Sequence, residues 1–252
     1  KLQGEGKITF AGSGSRPVEV RGTATTVKLN FPEGYRSQGS GTVAIRGDRF
    51  PYTMDINYDV TGGDITSEFG EDSGGDSTVK ASPYLPRFLD QDVFHPFNFN
   101  IDIRLKNPMG VHNEMINAMM SGQVKATGTP DRLMLNGSFT PLPGAKVYAN
   151  SRPFEVQSAL IEYNNAPPKD PKIYLTAHTR VDETVLDEQG RSSSNQYDVD
   201  LLVQGRGQAP QITLSSQPPL GQREIVSLLA LGTTGGSSIA AGERNSTGIQ
   251  TA

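Results

Sequence analysis

The 252-residue sequence contains no cysteine, no tryptophan and only three histidines. The absence of cysteine excludes a disulfide framework, a thiolate metal site and a cysteine nucleophile. The net charge of −4 provides no basic patch for nucleic acid, so nucleic-acid binding is not expected. No apolar run in the sequence is long enough to span a bilayer as a helix. These absences remove several classes of enzyme and binding protein before any motif is considered.

A strict alternation of apolar and polar residues runs through Phe97–Leu105, whose sequence is FNFNIDIRL. Side chains on a strand point alternately to opposite faces, so five apolar residues share one face and all four polar residues lie on the other. The same period recurs over residues 52–60 and 197–203, with shorter copies elsewhere. The pattern predicts a sheet with one apolar face. The function of the protein depends on what covers that face.

Glycine and proline are abundant, at 28 and 17 residues, while only 35% of the sequence is hydrophobic. Helix-covered α/β enzymes have strands that read as continuous apolar runs, whereas alternating strands separated by Gly, Pro, Asn and Asp are typical of antiparallel sheets. We therefore predict an all-β fold. One short helix is expected between Pro218 and Gly232, with Gly221 as its N-cap, Glu224 in its first turn and Gly232 as its C-cap.

Polar stretches divide the predicted strands. Residues 62–76 are rich in Gly, Asp, Glu and Ser, and the sequence predicts a strand segment over residues 1–90 that contains this acidic loop. A second groove domain is expected over residues 91–232, followed by a flexible polar tail over residues 233–252. Residues 182–195 are expected to form a long polar loop, while residues 112–120 fit either a helix or a strand. Because the sequence opens on strand-like residues without an initiator Met, we expect a piece of a longer protein.

Motifs for catalysis and metal binding are weak. The His112-Asn113-Glu114 spacing matches part of a zinc deaminase motif, but that chemistry also needs cysteine ligands. The acidic residues of the 62–76 loop are suitable ligands for Ca²⁺, although their spacing fits no EF-hand and a solvated loop is the better interpretation. No nucleophile elbow, phosphate-binding loop or dinucleotide fingerprint is present. We predict no catalytic residues, no metal and no cofactor, and we do not expect an enzyme.

Two arrangements could cover the predicted apolar face. A second sheet would give an ordinary sandwich or a closed barrel, and the pattern alone supports this reading about as well as any other. A long sheet that curls without closing would instead leave an open groove with an apolar interior, which normally marks a ligand or a partner. The long strands, their polar outer faces and the lack of covering helices favour the groove, and an acyl chain is the fitting ligand.

Residues 97–232 resemble the C-terminal domain of the TamB family, part of the translocation and assembly module of Gram-negative envelopes. The closing stretch, LSSQPPL at 214–220 followed by EIVSLL at 224–229 and Gly232, is the most specific. The other landmarks, in chain order, are FNFNIDIRL at 97–105, MSGQVKATGTP at 120–130, LNGSF at 135–139, RPFEV at 152–156, ALIEY at 159–163, PKIYLTA at 171–177 and VDLLVQG at 199–205.

The resemblance implies a rolled β-groove, or β-taco, in a periplasmic protein that is anchored in the inner membrane outside this segment. The family is similar to the AsmA-like and bridge-like lipid-transfer proteins, and its C-terminal end meets an Omp85-type outer-membrane barrel (TamA-like). We therefore expect a conduit that moves phospholipid between the inner and outer membranes during outer-membrane biogenesis. The alternative is a chaperone or scaffold that assembles outer-membrane proteins by β-augmentation with the Omp85-type partner.

Thirteen apolar residues are predicted to contact the acyl chains of phospholipid, while the headgroups stay in water. These lipid-groove residues are Phe97, Phe99, Ile101, Ile103, Leu105, Leu133, Leu135, Phe139, Ile173, Leu175, Val199, Leu201 and Val203. Three residues on the apolar side of the predicted helix, Ile225, Leu228 and Leu229, are expected to plug one end of the sheet or to contact the partner. We expect Ile101→Arg and Leu201→Asp to abolish function without unfolding the chain.

Overall fold

The computed structural model describes residues 2–8, 17–30, 34–67, 96–129, 132–186 and 191–234. Within these residues the chain forms thirteen strands and one helix, which confirms the all-β prediction. The elements are β1 (Leu2–Ile8), β2 (Val18–Leu29), β3 (Tyr35–Gly47), β4 (Tyr52–Ile65), β5 (Phe97–Leu105), β6 (Met109–His112), β7 (Ile116–Thr129), β8 (Arg132–Pro141), β9 (Lys146–Ala149), β10 (Arg152–Ala166), β11 (Lys172–Leu186), β12 (Ser192–Arg206), β13 (Ala209–Gln217) and α1 (Gln222–Leu231).

All thirteen described strands belong to one sheet. The main path runs β1-β2-β3-β4-β5-β7-β8-β10-β11-β12-β13, while β6 pairs with β4 and β7, and β9 pairs with β7 and β10. β1 and β13 lie at opposite ends of this path, and no pairing between them closes the sheet in the part of the chain that the structure describes. The sheet is therefore open, as the predicted all-β groove requires.

One long pairing in the sheet is parallel, which the turn residues of the sequence did not indicate. β4 runs alongside β5 with Tyr52 opposite Phe97 and Val60 opposite Leu105. A parallel pair needs a crossover connection and not a tight hairpin. That connection includes residues 68–95, which lie outside the described residues. Most of the predicted acidic loop, residues 68–76, is part of this range. The β4–β5 pairing joins the strands before residue 90 to those after residue 91 in one sheet.

Two predicted loops are shorter than expected. β4 continues through Ile65, so residues 62–65 of the predicted acidic loop are strand. The long loop predicted over residues 182–195 is wrong, because β11 and β12 stay paired from Asp182 opposite Gln196 to Leu186 opposite Ser192. The backbone ladder holds these strand ends together. Their residues are mostly polar, so the sequence shows no apolar alternation there.

The ambiguous residues 112–120 are not helical. They form the end of β6, a short turn and the beginning of β7. The side-chain carbonyl of Asn113 accepts hydrogen bonds from the backbone N–H groups of Met115 and Ile116 at 3.0 and 2.8 Å. Asn commonly stabilises turns in this way. Met115 lies in the turn, whereas Met119 and Met120 belong to the paired strand β7.

The helix α1 begins and ends where the sequence predicts. The Glu224 carboxylate accepts a hydrogen bond from the Gly221 N–H at 2.7 Å, which closes the first turn. Gly232 adopts a left-handed φ of 77°, and its N–H donates to the carbonyl of Leu228. Among the described helical residues, no segment has both the length and the apolar content needed to cross a membrane.

Candidate functional site

Neighbouring strands place their apolar residues on the same side of the sheet. Ile56 of β4 lies opposite Ile101 of β5, Ile101 lies opposite Ala126 of β7, and Ala126 lies opposite Leu135 of β8. Residues that are directly opposed on paired strands share a face. The register therefore builds a row of apolar side chains across four strands, about 14 Å long at the usual strand spacing.

A second row extends this surface to the other end of the sheet. Phe139 of β8 lies opposite Ile161 of β10, and Ile161 lies opposite Ile173 of β11. Two residues further along β11, Leu175 lies opposite Val203 of β12. Combined with the alternation inside each strand, this register puts all thirteen lipid-groove residues predicted from the sequence on one surface, which we call the apolar face.

Burial divides the thirteen residues into two groups. Eleven of them are half-buried, whereas Val199 is fully buried and Leu201 is only 7% exposed. The helix α1 covers these two residues, because its own buried side chains, Ile225, Leu228 and Leu229, belong to the same hydrophobic cluster. The structure thus brings the three predicted helix residues onto the β12 end of the apolar face.

A cavity of about 330 Å³ lies on the apolar face towards its other end, among β1 to β5. Two predicted lipid-groove residues, Ile101 and Ile103, line it. Sequence reasoning missed the other apolar residues of its wall, which are Ala24, Val27, Leu29, Val43, Ile56 and Tyr58. Ile56 and Tyr58 belong to a strand whose alternation was recognised. Val27 and Leu29 belong to one of the shorter alternating stretches, whereas in the rest of β2 and in β3 glycine or alanine fills several inward positions and hides the alternation.

The sheet curls around the apolar face. Burial raises the pKa of the Tyr163 hydroxyl, and the nearby Tyr35 hydroxyl raises it further. Tyr35 lies on β3 and Tyr163 on β10, five strand spacings apart along the sheet, which would be about 24 Å if the sheet were flat. Two groups at that distance would scarcely influence each other through salt-containing water. The apolar face is therefore concave between these two strands.

The opposite face of the sheet carries hydrogen-bonded charged residues. Asp55 accepts hydrogen bonds from Asn100 at 2.7 Å and from Arg46 at 2.6 Å, and Asp198 accepts one from Arg180 at 2.9 Å. The bond from Asn100 and then the Arg46 guanidinium hold the pKa of Asp55 below its usual value, and Arg180 does the same for the pKa of Asp198. This face stays charged at neutral pH and is suited to water.

A larger cavity, of about 640 Å³, lies on this polar face near β1 to β4. Its two arginines are already paired, Arg21 with Glu19 at 2.8 Å and Arg46 with Asp55 at 2.6 Å. The lining is polar and its charges are largely balanced, so this cavity gives an apolar ligand no advantage over water.

Two hydrogen-bonded contacts fasten the C-terminal end of α1 to the apolar face. The Arg152 side chain donates through Nε to the carbonyl of Leu229 at 2.5 Å. The Glu183 carboxylate, which is 2% exposed, accepts bonds from the backbone N–H and the hydroxyl of Thr234. Because of these two bonds Thr234 is held in place, although the sequence assigned it to the flexible tail, whose residues 235–252 lie outside the described residues. Burial and then the adjacent Glu183 carboxylate raise the pKa of the Tyr197 hydroxyl beside this contact.

Each of the two weak metal motifs of the sequence contributes one residue to a described contact between strands. Asp64 of β4 and His112 of β6 contact each other through Oδ1 and Nδ1. These residues therefore help to join two paired strands. Across the described ranges, no group of three or more His, Cys, Asp or Glu residues is placed to hold a metal ion.

The comparison with protein families agrees with this architecture. The model of the TamB C-terminal domain matches residues 1–252, the whole sequence. The chain belongs to the TamB C-terminal domain family. The match extends the resemblance seen in residues 97–232 to residues 1–96 and 233–252, and the described strands of residues 1–96 continue the same TamB sheet. No curated protein is similar enough to the sequence to count as a match.

Membership of the TamB family sets the biological context at a coarse level. The family has a role in outer-membrane assembly and lipid transport, and its members are periplasmic, envelope-associated proteins. It is associated with the translocation and assembly module, which has an Omp85-type partner. The concave apolar face is the candidate functional site of this TamB domain.

Proposed function

We propose that this TamB domain is one segment of a periplasmic conduit that moves phospholipid between the inner and outer membranes. The observation that carries the proposal is the register of the sheet, which gathers eleven half-buried lipid-groove residues on one concave face. The 330 Å³ cavity supports it, because its wall combines predicted residues with apolar residues of β2 to β4. Exposed apolar surface of this extent normally marks a binding site.

Acyl chains would lie on the apolar face and headgroups would remain in water along the open side of the sheet. Burial of hydrocarbon is worth about 0.8 kcal/mol per CH₂, so the face can replace the bilayer for one chain. Apolar side chains follow one another along the rows, for example Ile56, Ile101, Ala126 and Leu135. A chain that moves by one strand spacing therefore exchanges one set of apolar contacts for another, and no bond is made or broken.

Photocrosslinking tests the conduit directly. A benzophenone amino acid at position 101, on the apolar face, should capture phospholipid in cells, and mass spectrometry of the adduct would identify it. The matched control is position 98, which is exposed on the polar face of the same strand. Absence of lipid at position 101, or equal lipid yield at position 98, would contradict the proposal. Denaturing extraction of the purified protein, followed by lipid mass spectrometry, provides an independent measurement.

The edge strand β13 favours a second candidate function, a scaffold for outer-membrane protein assembly. Within the described residues β13 pairs with β12 alone, and its residue Ile212 is 61% exposed. An edge of this kind can accept a strand from another protein by β-augmentation. A benzophenone at position 212 would then capture polypeptide. Polypeptide at position 212 without lipid at position 101 would favour the scaffold over the conduit.

We further propose that an Omp85-type barrel (TamA-like) meets the end of the sheet that carries α1. The buried residues Ile225, Leu228 and Leu229 face the sheet, so the partner would contact the outward side of α1, where Val226 and Leu231 are exposed. Crosslinkers at positions 226 and 231 should capture the barrel, whereas position 228 should not. The proposal also assumes, from the family, that the full-length protein is anchored in the inner membrane outside this segment.

A further inference from the structure

The side chain of Tyr58 lies along the floor of the 330 Å³ cavity. The residue opposite Tyr58 on β3 is Gly41, and the next residues of β3 on the same face are Gly39 and Ser37. A Cβ atom added to Gly39 would lie 2.8 Å from Cζ and 2.9 Å from Cε2 of the Tyr58 ring. The ring therefore rests on Gly39, and its hydroxyl reaches Oγ of Ser37 at 3.2 Å.

This orientation is unusual for a side chain on a strand. Strand side chains ordinarily stand roughly perpendicular to the sheet. A standing ring at position 58 would project between Val27 and Leu29 on one side of the cavity and Ile101 and Ile103 on the other. Because the ring lies over Gly39 and reaches Ser37, that space stays open. Tyr58 is attached at one end by its backbone and at the other by the hydrogen bond with Ser37.

The side chains that form the walls of the cavity are as limited in mobility as Tyr58, which forms its floor. Val27, Val43, Ile56, Ile101 and Ile103 are β-branched, and such side chains have few χ1 rotamers. At about 330 Å³ the cavity is near the lower limit of ligand pockets. A floor and walls of limited mobility suit a slender, unbranched hydrocarbon chain and exclude a bulky one.

We propose that Tyr58 limits the depth of the cavity and thereby selects unbranched acyl chains over chains with bulky ends. Ser37 is the positioning residue that keeps the Tyr58 ring flat. The inference rests on the proposed function, because it requires an acyl chain to enter the cavity.

Binding measurements on the whole chain test this selection. Equilibrium binding of radiolabelled palmitate and of a fatty acid with a terminal pyrene would be measured below their micellar concentrations. Tyr58→Ala removes the floor of the cavity, and the affinity for the pyrene-tipped acid relative to palmitate should rise about tenfold, as expected for added apolar space in a pocket. Tyr174→Ala is the matched control, because it removes the same type of side chain from an exposed position on the polar face of β11, outside the cavity wall, and it should leave the ratio unchanged.

Smaller changes at the hydrogen bond test the role of Ser37. Tyr58→Phe and Ser37→Ala remove the same bond, so both should shift the affinity ratio in the same direction and by similar, smaller amounts. Opposite or clearly unequal shifts would overturn the positioning role of Ser37. If Tyr58→Ala does not fold, as judged by circular dichroism, Tyr58→Leu tests the same point because Leu is shorter than Tyr and cannot reach Ser37.

The outcomes separate this inference from the proposal on which it rests. Wild-type protein that binds neither ligand overturns both. Palmitate binding with an affinity ratio that Tyr58→Ala leaves unchanged overturns the selection by Tyr58 alone. A ratio that changes equally in Tyr174→Ala also overturns it, since the effect would then not depend on the cavity.

Discussion

The two ends of the apolar face have the same sequence pattern and different surroundings. At the cavity end, Ile101 and Ile103 are half-buried and line open space. At the helix end, Val199 and Leu201 alternate in the same way, yet α1 covers them and they belong to the hydrophobic core. Alternation therefore decides which face a residue occupies, while the covering element decides whether that residue stabilises the fold or is available to a ligand.

The length of α1 explains why only one end is covered. Its ten residues extend about 15 Å at the usual rise of an α-helix. Strands are spaced by about 4.8 Å, so a helix of this length can cover at most about four strands. The main path of the sheet contains eleven strands. Most of the apolar face must therefore lie beyond the helix, and the strands around the cavity are among those left open.

The largest expected contrast is between charged substitutions at the two ends. Leu201→Asp places an unpaired carboxylate in the core beneath α1 and should reduce the free energy of unfolding by about 3–5 kcal/mol. Ile101→Arg should cost only about 1 kcal/mol, because a long side chain on a half-buried position can extend its charge into water. Urea unfolding would measure both.

This contrast changes the expectation that both substitutions abolish function without unfolding, which now applies to Ile101→Arg alone. Ile101→Arg should remain folded and lose lipid capture. Similar unfolding midpoints for the two variants would mean that the ends do not differ in the way their burial indicates.

The contact between Arg152 and α1 should give the next largest effect. Arg152→Ala removes the bond from Nε to the Leu229 carbonyl, and the loss should be about 1.5 kcal/mol, the lower value for hydrogen bonds from charged groups. Hydrogen exchange of the amides of α1 should therefore accelerate about tenfold, while β3 and β4 stay unchanged. Arg46→Ala, which breaks an exposed ion pair at the cavity end, is the control and should leave α1 unaffected. If Arg152→Ala also speeds hydrogen exchange in β3 and β4, the substitution destabilises the whole fold and not α1 alone.

Gly232→Ala should weaken the helix end by about 1 kcal/mol, because Gly232 has a φ of 77° that residues with a Cβ adopt at a cost. The nearest atom to an added Cβ is Nη2 of Arg152 at 3.6 Å, so the cost is conformational and not steric. Gly144, with a φ of 90° and no atom within 4 Å of an added Cβ, is the matched control in the turn before β9. Both alanine variants should lower the urea midpoint, but only Gly232→Ala should speed hydrogen exchange in α1.

Much of this architecture could be predicted from local sequence, and its limits have physical causes. The strand Phe97–Leu105 and the caps of α1 depend on alternation and on single glycines, which local sequence reveals. In β2 only the alternation at Val27 and Leu29 was visible, and the inward positions near Gly22 in β2 and near Gly39 and Gly41 in β3 were missed because glycine contributes no apolar side chain to the pattern. The parallel pairing of β4 with β5 and the position of α1 depend on contacts between distant residues, about which a local pattern is silent.

The smallest predicted effect concerns two aspartates on the polar face of the sheet, one behind the cavity end and one behind the helix end. Asp55, behind the cavity end, and Asp198, behind the helix end, both have a pKa below the ordinary 3.8, mainly through Asn100 and Arg180 respectively. A lowered pKa in the folded state contributes stability above the unfolded value, and this contribution is lost as the pH falls from about 4 through the folded pKa. Asp55→Asn and Asp198→Asn should each reduce the acid dependence of stability below pH 4.

Salt should distinguish these two aspartates. The Asp55 side chain is 22% exposed and the Asp198 side chain is 39% exposed, so added salt screens the pair of Asp198 with Arg180 more effectively. Urea unfolding between pH 2 and pH 7, at low salt and in about 1 M NaCl, where the Debye length is only about 3 Å, would measure this. In salt, the difference in acid dependence of stability between wild type and Asp198→Asn should fade. The corresponding difference for Asp55→Asn should persist, because its main partner, the Asn100 amide, carries no net charge. Equal salt sensitivity would mean that the arginine partners, and not Asn100, dominate at both ends.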